Sequence, residues 1–214
     1  MAYRFTFAVR GRARFLSHLE TVDTLLSALR RAGFEIALSR GMKPRPVIAL
    51  ALPRAVGVES DAELADIELT ADPDPTVVAS RLALQLPAGI ELLSVEPAEG
   101  KPAASRVRAV GYLIEADGVD WESAAEQFWA ADSAEVVRRA PGKPDKHVDV
   151  RRFCAQLEPR PNGLLAEIEL TDAGTARPEE VATAVAATIG ATPTITRLVR
   201  TRIVLREPPV GVST

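Results

Sequence analysis

Two short stretches gather cations around a glycine: Arg10-Gly11-Arg12-Ala13-Arg14 and Arg40-Gly41-Met42-Lys43-Pro44-Arg45-Pro46. Guanidinium and ammonium groups at this density suit phosphate, and the first stretch runs into the start of a helix, where unpaired N–H groups also favour anions. The two prolines of the second stretch stiffen its backbone, so its charges are presented at little ordering cost. Arg10, Arg12, Arg14, Arg40, Lys43 and Arg45 are therefore the candidate nucleic-acid-binding set. They form one surface only if both loops leave the fold on the same side; two separate solvated loops are the alternative. His18 follows directly and is the candidate catalytic residue. As a general base it would need a nucleophile, such as an RNA 2′-hydroxyl, and a cation such as Arg12, Arg14 or Lys43 to stabilise developing charge. The simpler role is packing at the helix start with a bond to a carbonyl.

The formal charge of the 214-residue chain is -3, which hides a strong asymmetry. Residues 1–54 hold 10 basic against 3 acidic side chains, 55–134 hold 4 against 16, and 135–214 hold 12 against 10. The opening quarter can thus attract a polyanion although the whole molecule is acidic, unless the acidic middle folds against it. Apolar residues make up 47% and charged ones 26%, the composition of a globular chain, which excludes disorder and collagen-like repeats. No stretch approaches the ~18 apolar residues of a membrane span, and the first residues alternate as a charged strand, not as a signal peptide, so no membrane is expected as partner and the cytoplasm is the expected location. Cys154, His18 and His147 are too few soft ligands for a zinc, iron–sulfur or haem site, so neither a metal nor another cofactor is expected. Dinucleotide-binding, Walker, Gly-x-Ser-x-Gly and His-Glu-x-x-His motifs are absent from the sequence.

The elements that would position these residues are legible from periodicity. Tyr3, Phe5, Phe7 and Val9 alternate with polar or small residues as a half-buried strand. Ser17 and Glu20 form a capping box opening a helix with Leu19, Val22, Leu25, Leu26 and Leu29 on one stripe, ended by Gly33. Strands are expected at 35–39, 47–52, 64–70 and 90–95, with a helix between the last two opened by Asp74 and Pro75. Residues 99–105 have the composition of a linker. The order then repeats: strand 107–115, a helix capped by Asp120, strand 135–139, a hairpin of 150–157 and 164–171, a helix opened by Pro178, and strand 195–205. Trp121, Phe128 and Trp129 have the spacing of core residues, Cys154 reads as a small buried apolar residue, and His147 as an exposed loop residue. The expected fold is α+β: two tandem ferredoxin-like (split βαβ) units with antiparallel sheets, residues 1–98 and 106–214. One continuous domain with a mixed sheet is the alternative.

Several ordered motifs carry a family resemblance: Arg14-Phe15-Leu16-Ser17-His18-Leu19-Glu20, Leu29-Arg30-Arg31-Ala32-Gly33, Ser39 to Pro46, Leu52-Pro53, Val56-Gly57-Val58-Glu59-Ser60 and Asp66-Ile67-Glu68-Leu69. Together they resemble the bacterial radical SAM-linked protein family, a domain of unknown function found alone or joined to a radical SAM enzyme. The likeness is dense over residues 3–70 and thinner beyond, with Val148 to Arg151 and Arg200 to Arg202 as further positions. It implies a radical SAM protein as partner. With Cys154 as its single cysteine, this chain would be the stand-alone accessory form, any iron–sulfur cluster residing in the other polypeptide. The expected layout also resembles RAMP-type RNA-processing proteins, a likeness of topology alone.

Three functions follow as expectations. The first is an accessory module that binds structured RNA, or another substrate of the translation apparatus, for a radical SAM enzyme, without catalysis of its own. The second is a metal-independent RNA endonuclease using His18. The third is a protein–protein adaptor whose acidic stretch, Glu59 to Asp74, docks a basic partner.

Overall fold

The computed structural model describes residues 1–139, 142 and 144–207. The fold is mixed α+β, with four α-helices and mainly antiparallel strands among the described residues, divided into two compact units. The first unit holds residues 1–107 and the described residues from Leu205 on; the second holds 108–204. This moves the expected boundary. Residues 99–105 are no free linker: the 3-10 turn Ala103–Ser105 folds back and the Ala103 N–H bonds the Asp66 carboxylate, while Arg106 just beyond bonds the Arg206 carbonyl. Residues 208–214, expected in the second unit, lie outside the described residues.

In the first unit, β1 (Ala2–Val9), α1 (His18–Arg31), β2 (Ile48–Leu50), β3 (Glu59–Glu68), α2 (Pro75–Ala83) and β4 (Ile90–Pro97) give the sheet order β4-β1-β3-β2. Every pairing is antiparallel, with Ala2 opposite Glu68 and Val9 opposite Ser60. Because side chains alternate across a strand, Tyr3, Phe5, Phe7 and Val9 share the face that packs against Leu25 and Leu29 of α1 and Val78 and Leu82 of α2. The two helices start where local chemistry starts them. Ser17 and Glu20 complete a capping box, and Asp74 accepts from the Thr76 N–H ahead of Pro75. Leu19 departs from its expected stripe: it is 72% exposed, because burial centres on Thr21, Leu25, Ala28 and Leu29, roughly a third of a turn round the helix. The strand expected at 35–39 is not one either. Only isolated bridges, Ile36 to Leu69 and Leu38 to Pro46, form there.

The second unit comprises β5 (Val107–Asp117), α3 (Trp121–Ala130), β6 (Glu135–Arg138), β7 (Lys146–Asp149), β8 (Cys154–Arg160), β9 (Gly163–Glu169), α4 (Pro178–Ala187) and β10 (Thr194–Leu205). Four of these make the order β10-β5-β9-β8, while β6 and β7 form a separate antiparallel pair. The sequence pattern missed β7. It also placed 150–153 in a strand, whereas Asp149 caps a 3-10 turn there by accepting from the Arg151 N–H. Trp121, Phe128, Ile114, Val181 and Val185 fill the core, and the Trp121 indole donates to the Ala116 carbonyl. Trp129 is not core: it is 38% exposed, with the Arg151 guanidinium over its ring. Among the described residues no helix is long and apolar enough to cross a membrane, and no group of three or more His, Cys, Asp or Glu could hold a metal ion.

Candidate nucleic-acid interface

At the end of β1 the chain turns through Gly11–Phe15 as a 3-10 turn. The Arg10 N–H donates to the Gly89 carbonyl at 2.8 Å, and a Cβ on Gly89 would lie 2.6 Å from the Arg10 carbonyl oxygen, so only glycine lets the two backbones approach this closely. That approach directs the Arg10 side chain towards acids of β3 and β4. Its guanidinium lies 3.0 Å from Asp61 and 2.6 Å from Glu91, and the bond it donates to Asp61 is the main reason its pKa stands above the usual arginine value. The Gly11 N–H and the Arg14 guanidinium both reach Glu59, at 2.9 and 3.5 Å. The phosphate clamp expected at this turn is thus filled from within, by carboxylates of the acidic middle. Arg12 is exposed and has no ion pair among the described residues.

His18 is the first residue of α1 and is half-buried, with its Nδ1 enclosed and no hydrogen-bond partner for that atom among the described residues. The helix end it stands on is spent on itself: the Glu20 N–H donates to the Ser17 hydroxyl at 3.3 Å, and the Ser17 N–H to the Glu20 carboxylate at 2.8 Å. The Ser17 N–H first, and the Ser17 side chain second, hold the Glu20 carboxyl below the usual carboxylate range. Of the cations expected beside His18, Arg14 is occupied by Glu59.

The second basic stretch is the tip of a doubled-back arm. The Ser39 N–H donates to the Arg45 carbonyl at 2.8 Å, the Arg45 N–H to the Ser39 hydroxyl at 3.1 Å, and the Val47 N–H to the Ala37 carbonyl at 2.8 Å. Arg40, Lys43 and Arg45 are exposed there and have no ion pair among the described residues. The arm is rooted on the far end of β3, where Ala37 and Val47 exchange backbone bonds with Glu68. The Arg10 turn is rooted at the near end, beside Glu59 and Ser60. At ~3.3 Å per residue, Ser60 and Glu68 stand roughly 26 Å apart, so the six candidate residues spring from two opposite ends of the sheet and their anchors do not converge.

A family model described as "Uncharacterized protein conserved in bacteria (DUF2344)" matches residues 2–188. The chain belongs to this family. No curated protein matches it. Among solved structures, the DUF2344 chain is similar to one in the "Crystal Structure of a Cbf5-Nop10-Gar1 Complex", with 10% identity and a TM-score of 0.46 over 93% of this chain and 49% of that one. It therefore spans about half the length of that chain. It is also similar to an unknown protein from Galdieria sulphuraria, with 14% identity and a TM-score of 0.28 over 95% and 98% of the two chains. Both likenesses are too loose to carry function across.

Arg54 was not singled out from sequence, and Glu59 was named there only within a motif and an acidic stretch; both shape the DUF2344 chain's basic turn. Arg54 is only 8% exposed; it donates to the Arg14 carbonyl at 2.8 Å, to Val58 at 2.5 Å and to Leu16 at 3.1 Å. Its one sequence signal is isolation, as the sole charged residue between 46 and 58. Glu59 is buried at the start of β3, where its neighbours gave no sign of whether it faced water. In the second unit His147 is exposed, its Nδ1 3.4 Å from Glu135. Cys154 is buried, and burial first, with the Asp149 charge second, pushes its thiol up to about 12. It is an inert core residue.

Proposed function

We propose that the chain is an accessory module that binds structured RNA for a radical SAM enzyme and performs no catalysis itself, with the tip of residues 39–45 as its phosphate contact. The observation that supports this is the state of the cations. Arg40, Lys43 and Arg45 stand exposed on one short, proline-stiffened tip with no carboxylate partner among the described residues, while Arg10 and Arg14 are spent on Asp61, Glu91 and Glu59. Phosphate oxygens would complete the tip's charges at little ordering cost. The radical SAM partner rests on the motif resemblance, and a cluster would reside in that partner. The orders β4-β1-β3-β2 and β10-β5-β9-β8 support a split βαβ layout for each unit, the second carrying the β6–β7 pair as an insertion.

The other two readings lack an observation in their favour. A His18 endonuclease would need cations converging on the imidazole; Arg14 is paired with Glu59 and the arm bearing Lys43 is rooted at the other end of β3, which leaves Arg12 alone. An acidic adaptor surface would need a cluster of free carboxylates, and Glu59, Asp61 and Asp66 are paired with Arg14, Arg10 and Arg4 while Asp74 caps α2.

The test is tRNA binding between 50 and 200 mM salt. Each phosphate contact contributes about 0.7–0.9 to the slope of log affinity on log salt, so replacing Arg40, Lys43 and Arg45 by Gln lowers it by about two. Arg10→Gln leaves it nearly unchanged, and the RNA is recovered intact. Binding that ignores salt, or that the triple variant leaves alone, overturns the proposal.

A further inference from the structure

The second unit has a cleft of about 410 Å³ between β7 and the turn at Thr171–Thr175, within the size range of small-molecule sites. Its lining includes Arg138, Lys146, His147 and Arg152 against one acid, Asp149, with Phe153 as an apolar wall. Not all of these charges are available. Arg138 is committed to Glu180 by two bonds of 2.7 and 2.6 Å and holds the wall in place. Asp149 accepts the Ala134 N–H at 3.0 Å and the Arg151 N–H at 3.2 Å, and lies 3.1 Å from Arg152 Nε. Lys146 has no ion pair among the described residues, and Arg152 is 80% exposed with its terminal nitrogens free of any second carboxylate there.

The backbone adds a donor. The Val150 N–H bonds the Ala134 carbonyl, and Glu135 pairs with Asp149, Val136 with Val148 and Val137 with His147. Bonded and non-bonded pairs alternate along an antiparallel ladder, so Ala134–Val150 and Val136–Val148 are bonded pairs and Val137–His147 is not. The His147 N–H therefore faces away from β6, on the free edge of a two-stranded sheet that borders the cleft. The His147 Nδ1 faces Glu135 at 3.4 Å, but a compact ammonium, the terminal nitrogens of the Arg152 guanidinium and an edge N–H around one cleft are complementary to a tetrahedral oxyanion carrying two charges.

We infer that this cleft binds a phosphate monoester of nucleotide size, with Lys146 and Arg152 as the charge contacts and Phe153 walling the apolar part of the ligand. The site lies in the second unit and shares no residue with the tip at residues 39–45. The phosphate has two sources, a free nucleotide or the 5′ end of an RNA.

Titration calorimetry at low salt with adenosine 5′-monophosphate, ribose 5-phosphate and adenosine tests it. The two phosphates bind and adenosine does not; Lys146→Gln and Arg152→Gln each weaken binding roughly tenfold, and Lys146→Arg restores part of it. Both side chains are exposed, so far-UV circular dichroism stays unchanged in the variants. The Arg40, Lys43 and Arg45 triple variant binds the nucleotide normally, which separates this result from that for tRNA. A trinucleotide with a 5′-phosphate that binds more tightly than the mononucleotide assigns the site to RNA ends; equal or weaker binding assigns it to free nucleotides, and both uphold it. Adenosine binding as well as its monophosphate, no heat with either phosphate at millimolar ligand, or unchanged affinity in both Gln variants overturns it.

Discussion

Replacing Arg54 by Met removes the clasp that ties the Gly11–Phe15 turn to the start of β3. The guanidinium donates to the carbonyls of Arg14, Leu16 and Val58, and the Arg14 carbonyl also takes the Gly57 N–H. Met keeps most of the stem's volume, so the loss is polar. A hydrogen bond from a charged donor contributes about 1.5–3 kcal/mol, and a buried acceptor left empty costs about 1–3 kcal/mol. The Arg14 carbonyl keeps one partner and the part-buried Leu16 carbonyl can turn to water, so the Val58 bond, the buried one, dominates. The expected destabilisation is about 3 kcal/mol. A lysine at this position would donate to one or two of the carbonyls without the fork, and Arg54→Lys should lose about half as much. Urea unfolding followed by far-UV circular dichroism reads both variants. Tryptophan fluorescence adds a control, since Trp121 and Trp129 both lie in the second unit and native emission should be unchanged. A loss below about 1 kcal/mol for Arg54→Met, or equal losses for the two variants, would refute the clasp.

Two further outcomes follow from the titrating groups. Burial disfavours the Glu180 carboxylate, but bonds from Arg138 and the Arg177 N–H together with both arginine charges outweigh it, and its pKa falls below the ordinary 4.5. A depressed carboxyl stabilises the fold above its unfolded value and loses that contribution as pH falls through its folded value. The wild type's stability advantage over Glu180→Gln is therefore full at pH 7 and shrinks below about 4.5; an advantage constant down to pH 3 would contradict the pair's role. For Cys154, with its thiol at about 12, a thiol reagent at pH 8 should label the native chain far more slowly than the urea-unfolded one. Equal rates would show that the thiol is not enclosed.

The local devices of this chain were legible because each depends on neighbours in sequence. Ser17 with Glu20, Asp74 with Thr76, and Asp120 with Ser123 start three helices through bonds spanning two or three residues, and the alternation of Tyr3 to Val9 states which face of β1 is buried. Residues 35–39 alternate as a strand would, yet they pair by single bridges and serve as one limb of an arm that carries a tip. The partners of the basic residues could not be read at all. Arg10 meets Asp61 and Glu91, 51 and 81 positions away, and Arg14 meets Glu59, 45 away.

Counting charges along the chain showed that the opening quarter is cationic and the middle acidic; it could not show which of those charges cancel. That was decided by the antiparallel register of β1 with β3 and β4, which brings acids onto the Arg10 turn and roots the Arg40–Arg45 tip at the other end of the same strands. Coulomb attraction depends on distance in space, and only the sheet converts sequence separation into distance.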